Sequence, residues 1–310
     1  MKTAIGEIAV SDAHAHFFSR SFFEALGRQM EGHDGERPAE AALERLGWEP
    51  PPRDNTELAV RWVKELDKHG VDKIALMASL PGDEPAVADA VRAFPDRIHG
   101  YFMLNPLAPD AVERVGRALD TLGLRGICLF PAMHRFSVQD ERLRPIYELA
   151  SERKGVVVFV HSGVLTVGVR KKLGLPSRFD MSLSNPIDLH RVALEFPKAN
   201  FVIPHFGAGY FREVLMLGDL VPNVYLDTSS SNSWTKYQVP PVSLETVFAQ
   251  AIEIYSPQRL LFGSDSSFFP RGWNQQIFET QFPILQEIGL GLGEVQAILG
   301  GNLERLLSGR

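Results

Sequence analysis

Eight short runs rich in apolar and β-branched residues, at 8–12, 73–79, 98–104, 124–130, 156–161, 201–205, 224–227 and 260–265, recur along the chain with helical stretches between them. Several of these runs are almost unbroken apolar sequence (KIALMA, VVVFV, FVI), the pattern of strands covered on both faces rather than of half-exposed antiparallel strands, which alternate. Between them apolar residues return at three- and four-residue spacing. In Asn55–His69, Leu58, Trp62, Val63 and Leu66 form one stripe and Gly70 supplies a stop. Further helices are expected at 111–122, 138–154, 186–196, 243–255 and 294–307. Eight strand–helix units in order favour an α/β fold closed into a (β/α)8 barrel over an open doubly wound sheet. A chain of 310 residues fits one such domain, 1–310.

Three connections are long, and all follow strands: 17–54, 162–185 and 266–274. Loops after barrel strands gather at the C-terminal face, where active sites lie, so these are the expected pocket walls. The first, 17–54, carries a helix of its own and the stiff Pro50-Pro51-Pro52, and reads as a lid-like insertion. A net charge of −6, with no Lys/Arg run that offers the local patch nucleic-acid binding needs, argues against nucleic acid as a partner. No stretch is apolar enough to span a membrane and the N-terminus turns polar too early for a signal peptide, so a cytoplasmic location is expected. The single cysteine, Cys128, fits a reducing compartment and reads as plain core.

Polar chemistry concentrates at the ends of these strands. Asp12-Ala-His14-Ala-His16 closes the first, and side chains two apart on a strand share a face, so both imidazoles can converge on one ion. His161 ends VVVFVH, His205 ends FVIPH and Asp265 ends LLFGSD. Burying such groups without partners costs several kcal/mol, about 2–7 for a neutral polar group. One shared divalent metal explains all five. Three imidazoles and one carboxylate suit a divalent transition ion, with zinc the first choice and manganese or another divalent transition ion the alternative. His33, His69 and His99 read as structural or solvated, and His190 as a helix-surface or supporting residue. His134, after the fourth strand, is a candidate pocket residue.

DAHAH at 12–16, GLRGICLFP at 123–131, VFVHSG at 158–163, FPKANFVIPHFGAG at 196–209, LLFGSD at 260–265 and ILGGNLERLL at 298–307 together resemble the amidohydrolase superfamily. The resemblance is closest to its amidohydrolase-related branch, which includes the aminocarboxymuconate-semialdehyde decarboxylase-like enzymes, and it covers almost the whole chain. It implies a distorted (β/α)8 barrel with one catalytic divalent metal on the residues matching His14, His16, His161 and Asp265. His205 matches the histidine that orients or deprotonates water or polarises the substrate. Binuclear relatives carry a bridging lysine after the fourth strand; LRGICLFPAM has none, which disfavours a two-metal site. A homodimer is also what the resemblance implies.

Two reactions suit such a site. One is hydrolysis of a lactone, ester or amide by metal-activated water, with Asp265 or His205 taking the proton. The other is non-oxidative decarboxylation of an aromatic or muconate-type acid. A third reading is a non-catalytic binding barrel, against which the presence of all five residues stands. Cationic residues in the post-strand loops, Arg135, Arg170, Lys171, Lys172, Arg178 and Arg271, point to a small anionic substrate. Arg271 has the strongest claim, with Phe268, Phe269 and Trp273 as an apolar wall, whereas the Arg170-Lys171-Lys172 run reads as solvated surface. Phe17, Phe18, Phe22 and Phe23 are candidates for the opposite wall.

Overall fold

In the computed structural model, which describes residues 1–3, 5–30 and 36–309, the alternation closes into a barrel. The barrel strands are β1 (Ser11–Phe17), β2 (Lys73–Ala78), β3 (Ile98–Leu104), β4 (Gly126–Leu129), β5 (Val157–Val160), β6 (Asn200–Ile203), β7 (Val224–Asp227), β8 (Leu260–Leu261) and β9 (Ser266–Ser267). All neighbours pair in parallel, in the spatial order β8-β7-β6-β5-β4-β3-β2-β1-β9.

The expected eighth strand over 260–265 is split. Leu260 and Leu261 pair with β7, the chain then turns, and Ser266 and Ser267 pair with Ala15 and His16 of β1. The turn falls at Asp265, whose φ of 56° lies in the left-handed region that a non-glycine residue rarely adopts. Backbone bonds from Ala13 N to Phe262 O and from Asp265 N to His14 O complete the closure.

Strand periodicity sorts the side chains into two packings. Ala75, Met77, Tyr101, Met103, Cys128, Val157 and Phe159 fill the barrel with Leu303, Leu306 and Leu307 beside them, while Ile74, Leu76, Phe102, Leu104, Val158 and Val160 face the surrounding helices. Cys128 is core, as read from the sequence.

The helix Asn55–His69 forms with Asp54 as its N-cap and Gly70 as its left-handed stop. Other boundaries differ. The insertion after β1 holds two helices, α1 (Arg20–Gly27) and α2 (Pro38–Leu46), where one was expected. They cross so closely that a Cβ on Gly27 would lie 1.8 Å from the Pro38 carbonyl oxygen. The helix expected over 294–307 is interrupted by a π-helical turn, Ala297–Gly301, where Gly300 passes the β1 backbone; a Cβ there would stand 2.9 Å from Ser11 N. Helices at Glu84–Ala93, Phe211–Leu220 and Gln275–Glu287 add to those read from periodicity. Among the described residues no helix is long and apolar enough to cross a membrane. His33 lies outside the described residues.

Candidate metal centre and cavity

β1 delivers Asp12, His14 and His16 to the C-terminal mouth of the barrel, its register against β2 shifting between Asp12 and Ala15. His161 and His205 arrive just past β5 and β6, and Asp265 at the turn between β8 and β9. The five side chains meet. Ligand-type atoms of His14, His16 and Asp265 all lie within 4.8 Å of one another, as do those of His14, His161 and His205. Asp265 Oδ1 is 3.0 Å from His16 Nε2 and 3.9 Å from His14 Nε2. The His14 and His161 rings are 5.2 Å apart, and those of His14 and His205 5.0 Å. His205, like Asp265, has left-handed backbone, with φ 58°. Strain of this kind persists where the surrounding packing imposes it, commonly at functional sites.

The ring nitrogens that point outward from the centre are occupied. His14 Nδ1 meets Asp227 Oδ2 at 2.6 Å, His16 Nδ1 meets Ser79 Oγ at 2.8 Å, and His205 Nδ1 meets Ser229 Oγ at 2.8 Å. In contrast His14 Nε2 and His161 Nδ1 are buried with no hydrogen-bond partner. Buried imidazole nitrogens without a partner, inside a cluster of imidazoles and a carboxylate, are the donor set that a divalent transition metal takes. The residues present therefore fit a metal ion.

Asp12 lies beneath this cluster, wholly buried. It accepts from His14 N at 2.9 Å, Ser264 N at 3.0 Å, Ser264 Oγ, and Trp273 Nε1 at 2.8 Å, tying β1 to the turn that carries Asp265. Burial raises its carboxyl to about 6 against the pull of those bonds.

The electrostatics divide the histidines. Burial opposes charge on His14, but Asp227 outweighs it and raises the imidazolium to about 9. Burial, with the neighbouring imidazoles His14, His205 and His16 adding to it, takes His161 well below the ordinary value. Burial also lowers His205. For Asp265, burial is outweighed by the hydrogen bond from His16 and by the imidazoles of His205, His16 and His14, which hold its carboxyl well below the usual range.

A cavity of about 490 Å³ opens over the centre, within the range of small-molecule sites. His16, His161, His205 and Asp265 line it, with Phe18, Phe22, Trp48, Met103, Phe130 and Phe269 as apolar wall and Arg170, Lys172 and Arg271 as cations. All three long connections contribute. Arg271 and His134 stand in the wall as expected, and burial lowers the His134 imidazole.

Two expected substrate residues do not. Trp273 packs below, with its indole N–H on Asp12, because the turn at Gly272 (φ 74°) sends it away from Arg271. Arg135 is exposed and donates to the Arg178 carbonyl at 3.0 Å, outside the cavity. Phe17 and Phe23 are core rather than wall. Arg170 and Lys172, read as solvated surface, are in the wall. His69 and His99 bond to Glu65 and Glu304, each at 3.1 Å, away from the centre. His190 sits half-buried on the helix Leu189–Glu195. Sequence reasoning passed over Asp227, Asp12, Ser79 and Ser229. Asp227 closes a strand just as His161 does, which was the available signal.

The family profile described as Amidohydrolase matches residues 11–308. Among solved structures, the 5-carboxyvanillate decarboxylase of Sphingomonas paucimobilis shares the fold at TM-score 0.67 and 15% identity, over 97% of this chain and 99% of that one. A Pseudomonas putida protein assigned as a 2-pyrone-4,6-dicarboxylic acid hydrolase does so at 0.57 and 19%, over 98% and 99%. An amidohydrolase of Burkholderia multivorans with bound zinc does so at 0.60 and 15%, over 97% and 99%. The curated Protein fluG of Emericella nidulans is 34% identical over 90 residues, which span 28% of this chain and 10% of that protein. With its profile matched from the first barrel strand to the last helix, this chain belongs to the Amidohydrolase family.

Proposed function

We propose that this chain is a metal-dependent hydrolase that cleaves a lactone, ester or amide bond in a small, carboxylate-bearing cyclic substrate. The observation that carries the reading is the pairing of a neutral imidazole, His205, with a carboxylate, Asp265, on the wall of one cavity beside the orphaned nitrogens of His14 and His161. His14, His16, His161 and Asp265 would hold the ion; three imidazoles and a carboxylate suit zinc first and manganese second. When bound, the ion supplies Lewis-acid polarisation of the substrate carbonyl and acidifies water.

The residues of the chain do the rest. Ser229 fixes His205 through Nδ1, and burial keeps the ring unprotonated near neutrality, so its Nε2 is available to take a proton from the attacking water. Asp265, held as a carboxylate by His16, is the alternative acceptor, and whichever of the two groups takes the water's proton returns it to the leaving group. Phe18, Phe22, Phe130 and Phe269 give a cyclic substrate an apolar bed.

That same bed favours a second reading, non-oxidative decarboxylation of an aromatic or muconate-type acid, in which a proton replaces carbon dioxide and no water attacks. A panel of lactones, amides and hydroxylated aromatic acids, turned over in ¹⁸O-labelled water with carbon dioxide measured alongside, separates the two. Label in the product supports hydrolysis; carbon dioxide release without label overturns it.

A further inference from the structure

Arg170 stands on the short helix Gly168–Lys172, in the cavity wall that the loop after β5 provides. Its Nη1 donates to Oε1 of Gln29 at 2.8 Å and its Nη2 to the Pro176 carbonyl at 2.8 Å. Both acceptors are neutral, and among the described residues no carboxylate meets the charge. Its Nε is buried without a partner, and burial pulls the guanidinium pKa down, so the charge is poorly solvated where it stands.

The rest of the cavity sharpens the point. Lys172 spends its charge over the Trp48 ring, with Nζ 5.0 Å from the centroid. Asp265, the sole carboxylate in the lining among the described residues, is engaged by His16. A chain of net charge −6 thus gathers, among its described residues, an excess of positive charge in the cavity over the candidate metal centre. Arg271 shares that excess but is exposed. Arg170 is gripped at Nη1 and Nη2, leaving one further N–H on each for a planar anion, with little side-chain entropy left to lose.

We propose that Arg170 is the anchor for the substrate's carboxylate, held ready by Gln29 from the insertion after β1. This rests on the reading of the cavity as a site for a small carboxylate-bearing molecule. It adds which residue grips that group, and that two separate insertions must meet to place it.

Benzoate tests the anchor without a known substrate, with benzamide as its neutral counterpart, by calorimetric titration of the purified chain with zinc and again after chelation. Benzoate should bind wild type in both states. Its dissociation constant should rise about tenfold or more in Arg170→Gln, the loss expected when a charge-assisted bidentate pair is removed. Arg170→Lys should fall between, and Gln29→Leu should weaken binding severalfold, while benzamide affinity stays level across the set. Benzoate affinity unchanged in Arg170→Gln, at wild-type circular dichroism and zinc content, overturns the anchor. So does the absence of saturable benzoate binding to wild type, or its loss on chelation alone. Failure of the hydrolase reading, carbon dioxide release without label, leaves this titration's result intact.

Discussion

Asp227 Oδ2 lies 2.6 Å from His14 Nδ1, and both side chains are buried. The carboxylate fixes the ring's orientation and holds a proton on Nδ1, so that Nε2, 3.9 Å from Asp265 Oδ1, is the nitrogen whose proton an ion would displace. Metal-binding imidazoles are commonly steadied in this way, so the pair links the end of β7 directly to the chemistry at the end of β1.

Removing that charge should therefore act on the metal rather than on the fold. Asp227→Asn is expected to lower metal affinity by about 10–100-fold. Competition against a chromophoric chelator measures it, and unchanged affinity would show that Asp227 is only a packing residue.

The same pair sets a pH dependence. His14 titrates at about 9 in the ion-free chain, above its ordinary 6.5, so it contributes stability in full below 6.5 and loses it as pH climbs towards 9. The carboxyls of Asp12 and Asp83, raised by burial to about 6, change below this window. Chelator-treated protein should show a thermal midpoint that falls between pH 6.5 and 9, with a flatter profile in Asp227→Asn. Metal affinity should rise over the same interval, because binding displaces the His14 proton. A midpoint that rises across the interval in the ion-free protein would contradict the assignment.

Trp273 and Phe269 should separate by readout. Trp273→Phe deletes the N–H that Asp12 accepts and leaves part of a buried carboxylate unsatisfied, a cost of about 1–3 kcal/mol. Denaturant unfolding should register it, with substrate KM unchanged. Phe269→Ala should raise KM. A KM effect confined to Trp273→Phe would return the indole to the substrate wall.

For the proposed base, His205→Gln should lower kcat by about 10²–10⁴-fold, with zinc content retained. A variant that keeps wild-type kcat at full metal loading would exclude proton transfer by His205.

His14, His16, His161 and Asp265 were legible because a period of two and a strand's last residue are both visible in a linear sequence. Trp273 was misread because nearness to Arg271 in sequence says nothing about direction once Gly272 reverses the backbone. Arg170 was misread for the opposite reason. Its run of charges resembles a solvated face, and the bonds to Gln29 and to the Pro176 carbonyl, which hold the guanidinium in the wall, are not visible in a linear sequence. The split between β8 and β9 depends on a left-handed Asp265, a conformation that its residue type does not announce.

The shared metal centre is tested most directly by metal content. The purified chain reconstituted with zinc and desalted should carry about one ion per chain, and a His14→Ala/His16→Ala variant with wild-type circular dichroism should carry essentially none. Equal metal in the two proteins, or none in either, would contradict a single ion held among His14, His16, His161 and Asp265.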